Sequence, residues 1–393
     1  MDLSYGSEYD GFRRDVQQFL ADNKDMAPKP GAPAANTLTW QALLVKNGYT
    51  ARTIPKEYGG YGAAPDILES RIIAEEFAAA KVPGGLGGQG MGMLVPTLLE
   101  LGTEEQRKRF IPPTLLGEMM WCEGYSEPNA GSDLASLTTS AELDGDEWVI
   151  NGQKIWTSSA RTAHWIFCLV RTEPDAPKHK GISFLLFSMK TPGIEVRPIK
   201  QMTGDMDFNE VFFKDVRVPK DQIVGKRGEG WLVANALLQH ERGGLADPSA
   251  TLTRLNELIE LMKTETVDGC RIIDSPTYRD RLMKIQGRVM AMHHNGLRLL
   301  SATVNKQSSS PLAGMIVKLQ GTELRHELEG LAIDAMGELG LLYEGSPYLR
   351  DFGSWQRTYM YFLGLIIGGG TSQIQKNIIS ERGLGMPRHK PKA

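Results

Sequence analysis

The sequence Glu147-Trp148-Val149-Ile150-Asn151-Gly152-Gln153-Lys154-Ile155-Trp156-Thr157-Ser158 carries strand-type apolar residues on both sides of a turn dipeptide. Successive strand side chains point to opposite faces, so Trp148 and Ile150 mark one buried face. Asn-Gly supplies the positive φ values that a two-residue type I′ turn needs, and a β-hairpin is predicted at Asn151-Gly152. Asp144-Gly145 is a second turn dipeptide just upstream. Working outward, from about 120 to 225, the runs Trp165-Ile166-Phe167-Cys168-Leu169-Val170, Ile182-Ser183-Phe184-Leu185-Leu186-Phe187 and Val211-Phe212-Phe213 are short, apolar and bounded by Gly, Pro or Asp. This third of the chain reads as an antiparallel β-barrel or sandwich.

The flanks read differently. Between about 8 and 118, Phe12, Val16, Phe19 and Leu20 share one helical stripe, and Ile67, Ile72, Ile73 and Phe77 another. Breaks are predicted at Pro28–Pro33, Pro55, Gly59-Gly60 and Pro112-Pro113. Beyond about 229, helical spacing returns in longer stretches: Leu255 to Met262, Met283 to Leu300, Met315 to Leu331, and from Trp355 onward. Such helices suggest an antiparallel bundle. The expected fold is therefore an α+β multidomain one. A helical domain spans 1–118, a β-barrel domain 119–226 and a helical bundle 227–393. That order is not a nucleotide-binding βαβ pattern.

Composition narrows the function classes. The 393 residues carry a formal net charge of -3, which favours neither nucleic acid nor an anionic membrane surface as partner. Cys122, Cys168 and Cys270 are odd in number, widely spaced and without a CxxC, which argues against disulfides and a thiolate metal site and points to a cytoplasmic setting. No metal site is expected. The densest apolar run, Tyr361 to Ile367, is far short of the roughly 20 residues that span a bilayer.

Five segments could carry chemistry. Gly84 to Gly92 is glycine-rich, but it follows a helical stretch, not a strand, so it reads as a close helix–helix connection that could line a ligand pocket. Tyr125-Ser126-Glu127-Pro128-Asn129-Ala130-Gly131-Ser132-Asp133 offers hydroxyls and free N–H groups to a polar ligand edge. Trp156-Thr157-Ser158-Ser159 places an indole, which can lie on an aromatic ring, beside three hydroxyls. In Gly368-Gly369-Gly370-Thr371-Ser372-Gln373-Ile374-Gln375, Thr371 is a good helix N-cap behind three glycines. Finally, His240-Glu241-Arg242 follows the apolar run Trp231 to Leu238, where a carboxylate in a partly dry site would make a better base. His240 reads as a cap or packing residue.

In this order and at these distances, Ser126-Glu127-Pro128-x-Ala130-Gly131-Ser132-Asp133, Asn151-Gly152-x-Lys154-x-Trp156-x-Ser158, Glu210-Val211-x-Phe213-x-x-Val216-x-Val218-Pro219 and Gly370-Thr371-Ser372-Gln373-Ile374-Gln375 resemble the acyl-CoA dehydrogenase family. The resemblance implies FAD. It implies that Tyr125 and Ser126 face the flavin pyrimidine, Trp156 packs on the ring system and Ser158 reaches near N5. Ser132, with Gly131 beside it, falls where acyl-pantetheine and cofactor meet, and Thr371 and Gln373 bind the ADP half. Arg271 falls roughly where an arginine reaches a neighbouring subunit's pyrophosphate, although the Arg-x-x-Phe-Gly pattern of many members is absent. A homodimer or homotetramer, an acyl-CoA substrate and an electron-transfer flavoprotein as acceptor follow from the same resemblance.

Many members carry their catalytic glutamate directly before the Gly-Thr of the last motif, and here that residue is Gly369. A second branch, which includes isovaleryl-CoA dehydrogenase-like enzymes, places it on a bundle helix before an arginine. Glu241-Arg242 matches that branch. The expected reaction is proton abstraction from the α-carbon by Glu241, tuned by Arg242, with hydride loss to flavin N5. The backbone N–H of Gly369 then serves the thioester oxygen. Glycine at 369 also leaves room for a branched, cyclic or otherwise bulky acyl group. The competing readings are a non-catalytic partner subunit, an oxygen-using oxidase or monooxygenase of the same fold, and a helical scaffold that binds acyl-CoA without reaction.

Overall fold

A computed structural model describes residues 5–29, 32–244, 248–305 and 311–388. The chain forms two compact units that divide between Glu241 and Arg242.

In the first unit, helices α1 (Asp10–Asn23), α2 (Ala34–Asn47) and α3 (Ile67–Ala79) bury the predicted stripes except Ile67, which at the first position of α3 is exposed. Val16, Leu20, Trp40, Leu44, Ile72, Ile73 and Phe77 form one apolar cluster. Asp66 caps α3 by accepting from the Leu68 and Glu69 N–H groups. A π-helical turn, Gly90–Leu94, leads into α4 (Val95–Leu101), and α5 spans Glu104–Leu115 behind a reciprocal Thr103/Gln106 capping box.

One predicted break is not a break. Pro112 and Pro113 lie inside the last turn of α5. Both lack an N–H to donate, but their carbonyls still accept, from Leu116 and Glu118. Buried Phe110, Ile111 and Leu115 hold the turn in place against that loss.

Strands β1 (Trp121–Gly124), β2 (Ser140–Asp144), β3 (Glu147–Lys154), β4 (Trp165–Arg171), β5 (Ile182–Ser188), β6 (Ile194–Pro198), β7 (Asn209–Pro219) and β8 (Ile223–Val224) form one sheet, in the order β6-β7-β3-β2-β4-β5-β8. Its pairings are antiparallel except for β1 beside β4 and the short β2–β4 contact. Alternate residues of β4 and β5 enter two different cores. Phe167, Leu169, Phe184 and Leu186 pack with Leu98, Phe110 and Leu115 of the helices, whereas Ile166, Cys168, Leu185 and Phe187 pack with Ile150, Val211 and Val218 on the other face of the sheet. Burial on both faces is why these strands read as unbroken apolar runs.

The hairpin predicted at Asn151-Gly152 is absent. β3 runs straight through both residues, and its hairpin with β2 turns at Gly145, φ 62°. Asn151-Gly152 instead faces a bulge: Ile150 pairs with Val216 but Gly152 with Phe213, so β7 carries one extra residue opposite Asn151. The Asn151 side chain fills the gap by accepting from the Asp215 N–H and donating to its carboxylate. Gly152 adopts φ 149°, and a Cβ there would lie 2.7 Å from the Thr139 Cα. The same glycine requirement has been met by a close strand approach, not by a turn.

Helix α6 (Gly230–Gly244) closes this unit, with Val233, Ala234 and Leu237 buried in the helix-side core. His240 is exposed and lies inside the helix, so it is neither cap nor packing residue.

The second unit contains α7 (Pro248–Thr264), the small hairpin β9 (Thr266–Val267) and β10 (Cys270–Arg271), then α8 (Pro276–Val304), α9 (Pro311–Ala335), α10 (Ser354–Ile367) and α11 (Ser372–Ile378). Leu258, Ile285, Val289, Leu324, Leu328 and Trp355 join its core. Within that core, Arg254 donates to the fully buried Glu329 carboxylate, which Arg325 also approaches, and lies 3.3 Å above the Trp355 ring. No described helix is long and apolar enough to cross a membrane.

Candidate functional site

The loop after β1 is built on a buried ion pair. Lys154, fully buried at the end of β3, donates from Nζ to Glu127 Oε1 at 2.8 Å and to the Tyr125 carbonyl at 3.1 Å. The Glu127 carboxylate also accepts from the Thr138 N–H and hydroxyl and from the Thr139 N–H. Although burial pushes its carboxyl up, the neighbouring Lys154 charge and these hydrogen bonds outweigh that and hold it down at about 2. The Ile155 N–H donates to the Ser126 carbonyl at 2.9 Å. Tyr125 and Ser126 are thus tied to the strand end that carries Trp156. Tyr125 is buried, edge-on to Phe167 and Phe184. Gly131 and Ser132 are exposed further along the loop.

Trp156 and Ser159 both adopt left-handed backbone conformations, at φ 62° and 60°. Such values are costly for a bulky residue. Trp156 is 56% exposed, with Phe208 edge-on to its indole. Ser158, half-buried, lines a cavity of about 300 Å³ together with Gly87, Gly88, Gly90, Met91 and Trp121. The glycine-rich segment of Gly84 to Gly92 therefore does line a pocket. It is fixed from behind by the buried Gln41, which accepts from the Leu86 N–H and donates to the Leu115 carbonyl. Gly90 is obligatory for close approach, since a Cβ would come within 2.6 Å of Trp121 Cδ1.

In the second unit, Thr371 caps α11 by accepting from the Ile374 N–H, as the sequence predicts. Gln373 is exposed. Gly369 has φ 64°. The buried Gln375 donates to the Gly369 carbonyl at 3.1 Å, and the buried Lys318 donates to the carbonyls of Ile366 and Gly370. Arg271 is exposed, with its guanidinium on both carboxylate oxygens of Asp274. Positions 241 and 242 are on α6, but the side chains of Glu241 and Arg242 lie outside the described residues. No cluster of metal-ligating side chains occurs among the described residues.

Sequence reasoning gave no role to three buried side chains that shape these segments: Lys154, Lys318 and Asn209. Lys318 stands out as a polar residue within the apolar run Met315 to Leu319 and Lys154 as a motif letter, whereas Asn209, among Asp207 and Glu210, carries no local signal.

Family models cover this architecture from end to end. The acyl-CoA dehydrogenase N-terminal domain matches residues 7–118, the middle domain 122–216 and the C-terminal domain 228–384. The chain is 38% identical to the acyl-CoA dehydrogenase IpdE1 of Mycolicibacterium smegmatis, over 97% of this chain and 98% of that one. The chain belongs to the acyl-CoA dehydrogenase family. As a member of that family it is an oxidoreductase, with the family's helical, β and helical domains. Among solved structures, the ChsE4-ChsE5 complex from Mycobacterium tuberculosis matches with a TM-score of 0.82 at 32% identity, covering 99% of this chain and 100% of that one. The Tcur3481-Tcur3483 steroid ACAD matches with the same score at 30% identity, again over 99% and 100%.

Proposed function

We propose that this chain catalyses the FAD-dependent α,β-dehydrogenation of an acyl-CoA thioester to the trans-2-enoyl-CoA, with Glu241 as general base. The observation that carries the choice of base is Gly369. It has no carboxylate, and its left-handed backbone would strain any glutamate placed there. The proton acceptor must then come from another element. Position 241 follows the buried Leu237 by one helical turn, on the same face of α6.

The residues present fit a flavin. The exposed indole on a strained turn offers a flat face, and Ser126 and Ser158 offer hydroxyls. The buried Thr157 Oγ1 and Ser372 Oγ have no hydrogen-bond partner among the described residues. Tyr125, Ser126, Gly131, Ser132, Trp156 and Ser158 would hold the ring half, and Thr371 and Gln373 the ADP half. When bound, FAD supplies the acceptor for the hydride that leaves the β-carbon. Glu241 takes the α-proton from the opposite face of the Cα–Cβ bond, and Arg242 orients its carboxylate. As charge develops on the thioester oxygen, the Gly369 N–H donates to it. Such a donor is worth ~3–4 kcal/mol. Lys318 and Gln375 keep the glycine loop fixed while it does so.

Glycine at 369 and the likeness to a steroid ACAD support a bulky acyl group, branched, cyclic or steroid-like. An electron-transfer flavoprotein takes the electrons. A homodimer or homotetramer is one assembly. A second reading is a complex with a different chain, favoured by the likeness to the ChsE4-ChsE5 complex and to the Tcur3481-Tcur3483 steroid ACAD. Glu241→Gln tests the base. It should keep FAD yet lose bleaching by acyl-CoA, by roughly 100- to 10,000-fold in rate. Bleaching at the wild-type rate overturns the assignment.

A further inference from the structure

Trp156 and Ser159 hold left-handed conformations although neither is glycine. Backbone outliers of this kind persist only where the surroundings over-determine them, and they concentrate at ligand sites. Here the surroundings are β7 and the segment that leads into it. The Thr157 N–H donates to the Asn209 carbonyl at 3.0 Å. The Asn209 side chain, fully buried, donates from Nδ2 to the Thr157 carbonyl at 2.9 Å and to the Asp207 carbonyl at 2.9 Å. The Asp207 carbonyl in turn accepts from the Ser159 N–H at 2.9 Å. Both backbone groups of Thr157 are thus held by one residue, and that residue also fixes the carbonyl that holds Ser159. Upstream, the Ile155 N–H is held by Ser126. Little freedom remains for the backbone in between, which carries the exposed indole of Trp156 and the hydroxyl of Ser158.

We infer that Asn209 is a positioning residue for the cofactor face: it locks the Trp156–Ser159 turn so that indole and hydroxyl stand ready before the flavin arrives. The inference rests on the reading that Trp156 and Ser158 meet the flavin ring. Asn209 itself touches no reacting atom. Its effect is preorganisation, in which affinity is gained by removing the cost of ordering the turn on binding.

The test has two arms on the full-length protein. The first needs neither cofactor nor variant. In flavin-free wild type, the Thr157 and Ser159 amides should resist hydrogen exchange as the β3 and β7 amides do. Exchange at the rate of an open loop overturns the lock. The second arm compares Asn209→Ala with Val218→Ala, a cavity variant of the fully buried Val218 on the same strand. Asn209→Ala should speed exchange across 156–159, weaken FAD binding roughly tenfold, or about 1.4 kcal/mol, and raise the fluorescence of whatever flavin stays bound as the indole quenches it less. Val218→Ala should lower thermal stability while leaving FAD affinity within about twofold, a change under 0.5 kcal/mol. Equal effects of the two variants on FAD would make Asn209 merely structural and overturn the proposal. If wild type binds no FAD at all, the flavin reading of the site fails, and the exchange arm still decides whether Asn209 holds the turn.

Discussion

Lys154→Met should destabilise the protein more than any surface change. The substitution keeps the aliphatic stem but removes the ammonium from a fully buried position, leaving the Glu127 carboxylate, itself 6% exposed, without its cation. Breaking a buried pair from one side typically costs about 3–5 kcal/mol. The depressed Glu127 carboxyl, about 2 against an ordinary 4.5, corresponds to roughly 3 kcal/mol at 1.36 kcal/mol per unit, which agrees in size. Because the folded value lies below the unfolded one, this stabilisation is fully present above pH 4.5 and is lost as the pH falls toward 2. Denaturant unfolding followed by tryptophan fluorescence, at neutral pH and again near the acid limit of folding, should show the wild-type advantage shrinking on acidification. Adding Glu127→Gln to Lys154→Met should recover part of the loss, since no uncompensated charge then remains. A single Lys154→Met variant within about 0.5 kcal/mol of wild type, or a difference that grows on acidification, would refute the reasoning.

Arg254→Met in the second unit should cost about 3–5 kcal/mol for the same reason, because Glu329 is fully buried and among the described residues would keep Arg325 alone as its cation; unfolding by denaturant checks it. Gly90→Ala should lower stability by about 1–3 kcal/mol, since the new Cβ meets the buried Trp121 ring, and should reshape the adjoining cavity. Calorimetric unfolding together with KM for the best acyl-CoA would show both effects. Thr371→Ala should remove the α11 cap at a cost of about 1 kcal/mol and weaken FAD retention, which gel filtration with visible absorbance would reveal.

The middle strands were legible because Ile166 to Val170 and Ile182 to Phe187 are apolar on both faces and both faces are covered. The long C-terminal helices were legible from their stripes, and Thr371 as a cap from its hydroxyl and the glycines before it. Asn151-Gly152 misled because positive φ is demanded equally by a turn and by a bulge, and the choice depends on how closely Thr139 passes. Pro112-Pro113 misled because local sequence registers the missing N–H groups but not the buried residues that hold the last turn. The left-handed Trp156 could not be read locally at all. Its conformation is fixed by Asn209, 52 residues away from Thr157. Lys154 and Glu127 were visible as motif letters, but their pairing across 27 residues is a consequence of strand order. Glu241 was readable as a carboxylate beyond an apolar stripe, and its role rests on the glycine at 369.

Anaerobic titration of the purified protein with straight-chain, branched and steroid-like CoA thioesters, followed by the visible flavin absorbance, tests the proposed dehydrogenation most directly. The account predicts a yellow protein whose absorbance bleaches with at least one bulky acyl-CoA, yields the 2-enoyl product in proportion, and stays oxidised in Glu241→Gln. A flavin that remains oxidised with every thioester, or bleaching that survives intact in Glu241→Gln, would contradict it.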